Sequence, residues 1–259
     1  MDRLLLVAST FCFLFGFAYT MYALGARTYR PSRFNYSVIL LGFVLQTGFL
    51  TMRGHAEGRC PLTNLFEVFV FLSWSVVLLY LLIGSTYRMS LMGLFTSPLV
   101  FLLQAFALLG LPDAQQQASG LVVKPPDPWL EMHASISIIA YGAFAMAGVA
   151  GVMYLAQERQ LKTHNLHTIF YHLPPIADLA VSIHRLLLAG FILLTAGLLT
   201  GFMVGFDALQ VFWGIGVWVI YGVIIQAEKL KKITPRRVAI LSVVAFSLTL
   251  STFWGLKFL

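Results

Sequence analysis

Long apolar runs separated by short polar segments organise the chain. A helix needs about 20 apolar residues to cross the hydrocarbon of a bilayer. Eight runs fit that requirement: Leu4–Leu24, Phe34–Thr51, Leu65–Ile83, Leu91–Leu111, Trp129–Ala156, Leu186–Val204, Leu209–Gln226 and Val238–Phe258. The pattern predicts an all-α polytopic membrane protein with eight transmembrane helices in a single integral membrane domain over residues 1–259. The first run is too long for a signal peptide, has only Arg3 as a basic flank, and is followed by no clear small-residue cleavage site. It is therefore expected to be a retained helix.

Composition agrees. Hydrophobic residues make up 59% of the chain and charged residues 10%, against about 45–50% and about 25% in a soluble domain. So few charges cannot cover a water-soluble globule of this size, which excludes a cytosolic enzyme, a disordered chain and a nucleic-acid-binding domain. The net charge of +7 then reports orientation in a lipid bilayer, because Lys and Arg accumulate on the cytoplasmic side. With the N-terminus outside, twelve of them fall on inner segments, namely Arg27, Arg30, Arg33, Arg88, Arg159, Lys162, Arg185, Lys229, Lys231, Lys232, Arg236 and Arg237; five (Arg3, Arg53, Arg59, Lys124 and Lys257) fall outside. Both termini are expected to face outward. The longest loops are Pro112–Pro128, outside, and Gln157–Arg185, inside, where a short interfacial helix is expected. No fixed-period repeat and no inverted similarity between halves is visible, which argues against a transporter.

Ionisable groups at membrane depth are costly and are candidates for function. Asn64 and Glu67 stand at capping-box spacing before the third run, so that each satisfies a main-chain N–H that lipid cannot. In the alternative reading, Glu67 lines an outer cavity with His55, which is placed in the outer loop Met52–Arg59. His133 lies one turn into the fifth run on the outer side. A face of small residues follows it: Ala134, Ser137, Ala140, Gly142, Ala145, Gly148 and Gly151. Such a face admits either a neighbouring helix or a flat ligand. The imidazole is either a helix-to-helix hydrogen-bond partner or an axial heme ligand, and His55 on the same side makes a bis-histidine pair topologically feasible. Asp207 sits in the outer turn before the seventh run, where helix capping is its plain role. His164, His167 and His172 have spacings that permit a metal site but lack acidic or thiol support. His184 and Arg185 read as an interfacial pair. Cys12 and Cys60 are expected at different depths, too far apart to pair. No catalytic triad, phosphate loop, zinc-protease or dinucleotide fingerprint appears, so nothing in the residues themselves demands an enzyme.

Several segments resemble one family. Pro61-Leu-Thr-Asn-Leu-Phe-Glu67 followed by Phe71-Leu-Ser-Trp74 resembles the PLSNLYE…FLSW signature of the cytochrome c assembly membrane proteins of the CcsA/ResC-like type. His133-Ala-Ser135 with Tyr141-Gly-Ala-Phe144, the helix from Arg185 to Gly201, and Arg236-Arg-Val-Ala-Ile-Leu-Ser242 are similar to later family segments in the same order. The resemblance is clearest over residues 60–259. It implies a membrane component of cytochrome c biogenesis in a bacterial cytoplasmic (inner) membrane. Such a component binds or handles heme at the outer face for attachment to apocytochrome c, with a ResB-like partner. It also implies His133 as a heme-iron ligand, with Asp207, Glu67 and Asn64 as further heme-site residues; His55 joins them from its expected place on the same outer side.

The chain departs from the family pattern in three places. Where the family carries a Trp-rich WGxxWxWD loop, this sequence reads Met203-Val-Gly-Phe-Asp207, and only the final Asp matches. A family histidine in the following helix aligns with Gln226. The family's second outer histidine lies past the position of Leu259. These departures are shared with the HemX-like branch, which implies the alternative of a membrane regulator or scaffold of heme biosynthesis without bound heme, acting through the inner loop.

Overall fold

The structure, a computed structural model, describes residues 2–25, 33–62, 64–87, 92–110, 127–163, 175–204 and 208–255. Among the described residues there are eight helices and no strand: α1 Asp2–Gly25, α2 Arg33–Glu57, α3 Leu65–Tyr87, α4 Met92–Gly110, α5 Pro128–Thr163, α6 Ile176–Val204, α7 Ala208–Lys229 and α8 Pro235–Gly255. Five of them are long and apolar enough to cross a membrane, within α2, α3, α5, α6 and α7. Shorter apolar segments, Arg3–Tyr19 and Phe95–Leu109, lie in α1 and α4.

Each helix coincides with one expected run, but three extend well past the apolar stretch. α2 runs on to Glu57, so His55 stands on its last turn and not in a loop. α5 continues to Thr163, and α6 begins at Ile176. The expected inner loop therefore shrinks from both sides, because hydrogen bonds within a helix persist in water wherever side chains pair along its surface. The apolar residues of the expected interfacial helix, Ile169 to Leu173, lie outside the described residues.

The chain divides into two compact units, Met1–Glu131 and Met132–Leu259, with the division in the first turn of α5. In the first unit α1 and α2 run antiparallel. Gly48 meets Leu5, the Ser9 hydroxyl donates to the Gly42 carbonyl at 2.9 Å, and Gly16 faces Asn35. Polar side chains tie the apolar helices together. Gln46, fully buried, donates through Nε2 to the Val70 carbonyl at 2.9 Å and to Ser73 Oγ at 2.6 Å. Thr10 Oγ1 donates to Gln104 Oε1 at 2.7 Å, and Trp74 Nε1 donates to Thr47 Oγ1 at 2.9 Å. In lipid the apolar surfaces of helices gain little by meeting, so such bonds and close packing hold the bundle.

The second unit is built around α5, most of whose apolar span is buried. α6 and α8 both run antiparallel to it, and α7 runs antiparallel to α6. Along α5, Ser137 faces Gly197 and Phe144 faces Gly190 on α6, whereas Gly148 and Gly151 meet Phe246, Ser242 and Ala239 on α8. Phe144 also stacks flat on Tyr221 of α7, with centroids 3.5 Å apart and planes at 5°. The small-residue face of α5 thus receives helices. Between α6 and α7, Phe191 stacks on Trp218, whose Nε1 donates to Thr195 Oγ1 at 3.0 Å.

A Cβ added at Gly151 would stand 2.8 Å from the main-chain oxygen of Ala239, and a main-chain atom cannot swing aside. Gly151→Ala is expected to force α5 and α8 apart and to lower stability by roughly 1–3 kcal/mol, the usual range for overpacking. Thermal unfolding in detergent checks this; an unchanged midpoint would mean the helices separate without cost.

Candidate functional site

In the first unit the polar residues gather where α2 ends and α3 begins. Asn64 precedes α3, and its Oδ1 accepts the Glu67 main-chain N–H at 2.9 Å. This is the expected N-cap, which satisfies an N–H that the helix itself leaves orphaned. The Glu67 side chain is fully buried and accepts from Arg53 Nε at 3.0 Å. Arg53, itself 3% exposed, also pairs with Glu57 at 3.1 Å, one helical turn along α2. Arg59 approaches Glu57 at 3.6 Å. Sequence reading treated Arg53 only as an outer charge and missed this buried pair. Its signal was a basic residue within one turn of an apolar run, facing an acidic residue in the first turn of the next. His55 is exposed on the last turn of α2.

In the second unit His133 lies on the second turn of α5, half-buried. Its Nδ1 is 2.7 Å from the main-chain oxygen of Gly197, near the end of α6. A carbonyl only accepts, so Nδ1 carries the proton and the ring lone pair resides on Nε2. Thr200 Oγ1 donates to the same carbonyl at 2.8 Å. Glycine at 197 is required by proximity: a Cβ there would lie 2.5 Å from Ser137 Oγ and 3.4 Å from the Ser137 nitrogen. Gly197 and Thr200 stand in the segment that resembles a family helix, but nothing in the sequence marks them as partners of His133; only the close crossing of α5 and α6 brings them to it.

The opposite end of this unit carries its charges. Every described Lys and Arg from Arg159 to Arg237 stands there, away from His133. Glu158 pairs with Arg236 at 3.2 Å and with Lys162 at 2.7 Å. His184 was expected as an interfacial pair with Arg185 at the start of its helix. Instead it lies about two turns into α6 and pairs through Nδ1 with Glu228 Oε2 of α7 at 2.9 Å. Beside that pair is a cleft of about 240 Å³ walled by Ala180, Val181, Ile183, Pro235 and Val238. Asp207 and the histidines at 164, 167 and 172 lie outside the described residues. Among those described, no cluster of His, Cys, Asp or Glu is arranged to hold a metal ion.

The fold and these two clusters define a polytopic helical membrane protein, with an anchored imidazole at one end of a helical unit and basic residues at the other. Residues 62–259 match the family described as Cytochrome C assembly protein, and the chain belongs to that family. Among its relatives, the cytochrome c biogenesis protein CcsA of a Prochlorococcus marinus strain is 28% identical over 248 residues, covering 85% of this chain and 80% of that protein. The CcsA of Porphyra purpurea is 28% identical over 253 residues, covering 81% and 79%. The CcsA of Chlamydomonas reinhardtii is 28% identical over 209 residues, covering 76% of this chain and 58% of that longer protein. The family implied by the motifs is the family found, and the chain is an integral membrane protein.

The buried pair makes a stability prediction. Removing one partner leaves a charge uncompensated, whereas replacing both with apolar residues of similar volume is often neutral. Arg53→Ala and Glu67→Ala are each expected to cost about 3–5 kcal/mol, and Arg53→Met combined with Glu67→Leu to recover most of the loss. Unfolding of the purified variants in detergent measures it; single losses that add in the double variant would contradict coupling.

Proposed function

We propose that this chain is a membrane component of cytochrome c biogenesis that holds heme at its outer face for attachment to apocytochrome c. The observation that carries the reading is the His133–Gly197 contact. A half-buried imidazole, fixed by a carbonyl on one nitrogen and carrying its lone pair on the other, has the chemistry of an axial ligand. The names of the relatives, each a cytochrome c biogenesis protein, support it. The residues present thus fit a heme on His133. When bound, heme supplies the iron and the vinyl groups that a cytochrome's thiols consume; the chain's part is to orient and hold it.

In this reading all eight helices span the bilayer in one domain, both termini face outward, and the membrane is a bacterial cytoplasmic one. The gathering of described basic residues of the second unit at the end opposite His133 supports that orientation. His55, exposed on the last turn of α2, is a further candidate for the heme site. Glu67 and Asn64 act at the start of α3, and Asp207 is a further candidate. A ResB-like membrane protein is the expected partner.

The decisive measurement is the absorbance spectrum of the protein purified from heme-replete cells. A Soret band is expected in the wild type and is expected to be lost or strongly reduced in His133→Ala. A band that the substitution leaves unchanged would remove His133 from the reading.

A HemX-like regulator or scaffold without heme is the second reading. It is favoured by the extension of α5 and α6 beyond the apolar core, which builds a helical inner end held by the Glu158–Arg236 and His184–Glu228 pairs. It predicts that a cytosolic enzyme of heme synthesis co-purifies with the chain and is lost when residues 164–174 are replaced by a Gly/Ser linker. Undiminished co-purification would count against the regulator.

A further inference from the structure

The contact that holds His133 does more than place a ring. The main-chain oxygen of Gly197 receives the imidazole Nδ1–H at 2.7 Å and the Thr200 hydroxyl at 2.8 Å. Thr200 Oγ1 also lies 3.3 Å from the Ala196 carbonyl, a longer second acceptor for its one proton. The oxygen is reachable from α5 because residue 197 has no Cβ and Ser137 is pressed against it. We infer that the Gly197 carbonyl is the positioning group that makes Nε2 the coordinating atom of His133, with the Thr200 hydroxyl tuning how strongly that carbonyl draws on the imidazole proton. This rests on the heme-holding reading above and extends it from one ligand to the residues that set the ligand's strength.

The physical argument has three steps. A neutral imidazole has one N–H and one lone pair, so binding the N–H decides which nitrogen can donate to a metal. A carbonyl that accepts this N–H adds electron density to the ring and makes the other nitrogen a better donor, as second-shell partners of metal-binding histidines generally do. A second donor on the same oxygen draws on the same lone pairs and moderates that effect. A protein that must pass heme on has a use for such moderation, because a ligand held too strongly would retain what it should deliver. Gly197 and Thr200 need not touch the heme; they act through His133.

The test has one arm without heme and two with it. In apoprotein carrying ¹⁵N-labelled histidine rings, the His133 signals, identified by their loss in His133→Ala, are expected to show the proton on Nδ1. Free histidine prefers the opposite tautomer, so a proton on Nε2 would overturn the assignment. In the heme-bound protein, Thr200→Val keeps side-chain shape and removes the hydroxyl. It is expected to keep the Soret band, lower the reduction potential and tighten ferric heme binding. A potential equal to wild type would remove Thr200 from the proposal.

Replacing His133 by Nδ-methylhistidine keeps Nε2 and abolishes the donor. Heme is expected to remain, with affinity lower by roughly 10-fold or more and a raised potential; an unmoved potential would overturn the role of the Gly197 carbonyl. The two failures are distinguishable. A Soret band that survives unchanged in His133→Ala sinks the ligand reading and this extension together. Loss of the band in His133→Ala, with an unmoved potential in the methylated protein, leaves the ligand reading standing and sinks only this inference.

Discussion

A polar group inside a bilayer has no water to turn to, and much of this structure follows from that constraint. Gln46 and Gln104 are fully buried in apolar helices and each bonds a neighbouring helix, Gln46 through its Nε2 and Gln104 through its Oε1. Serine and threonine hydroxyls such as Ser75, Ser182, Ser242 and Thr249 donate to the carbonyl four residues back in their own helices. Arg53 and Glu67 meet as a pair at the join of α2 and α3. His133 meets a carbonyl. In water these contacts would compete with solvent for little net gain; at membrane depth the alternative is an unsatisfied group.

Close packing is the second requirement, and glycine and alanine meet it. Along α5 small side chains let α6 and α8 come near enough for main-chain atoms to approach side chains directly, as Ala239 does at Gly151 and Ser137 does at Gly197. That proximity is structural for most of the helix. At its first two turns it acquires another consequence, because the same crossing that removes a Cβ at 197 exposes a carbonyl to an imidazole. The small-residue face therefore serves the candidate site indirectly, through the helix it admits, and not as a surface for a flat ligand.

Charge separates the two ends of the second unit. The end away from His133 is basic and laced with pairs between α5 and α8 and between α6 and α7. Those pairs explain why the helices outlast their apolar stretches: beyond the hydrocarbon, charged side chains take over the satisfaction of the surface. The end bearing His133 has no described Lys or Arg in this unit.

The sequence by itself determined where the eight described helices lie, five of them long and apolar enough to cross a membrane, because burial in lipid imposes a continuous apolar length that can be measured along the chain. It also determined the Asn64 cap, a local contact between residues three apart, and the family, carried by short motifs in order. Other features were decided only by tertiary structure. Arg53 became the partner of Glu67, His184 that of Glu228, and Gly197 with Thr200 became the support of His133. These are pairings between different helices, fixed by rotation and crossing distance, and helical periodicity is silent on which face of one helix meets which face of the next. His55 lay at the margin between the two cases: its helix continued past the apolar run because Arg53 and Glu57, one turn apart, extended it, and hydrophobicity alone does not mark that end.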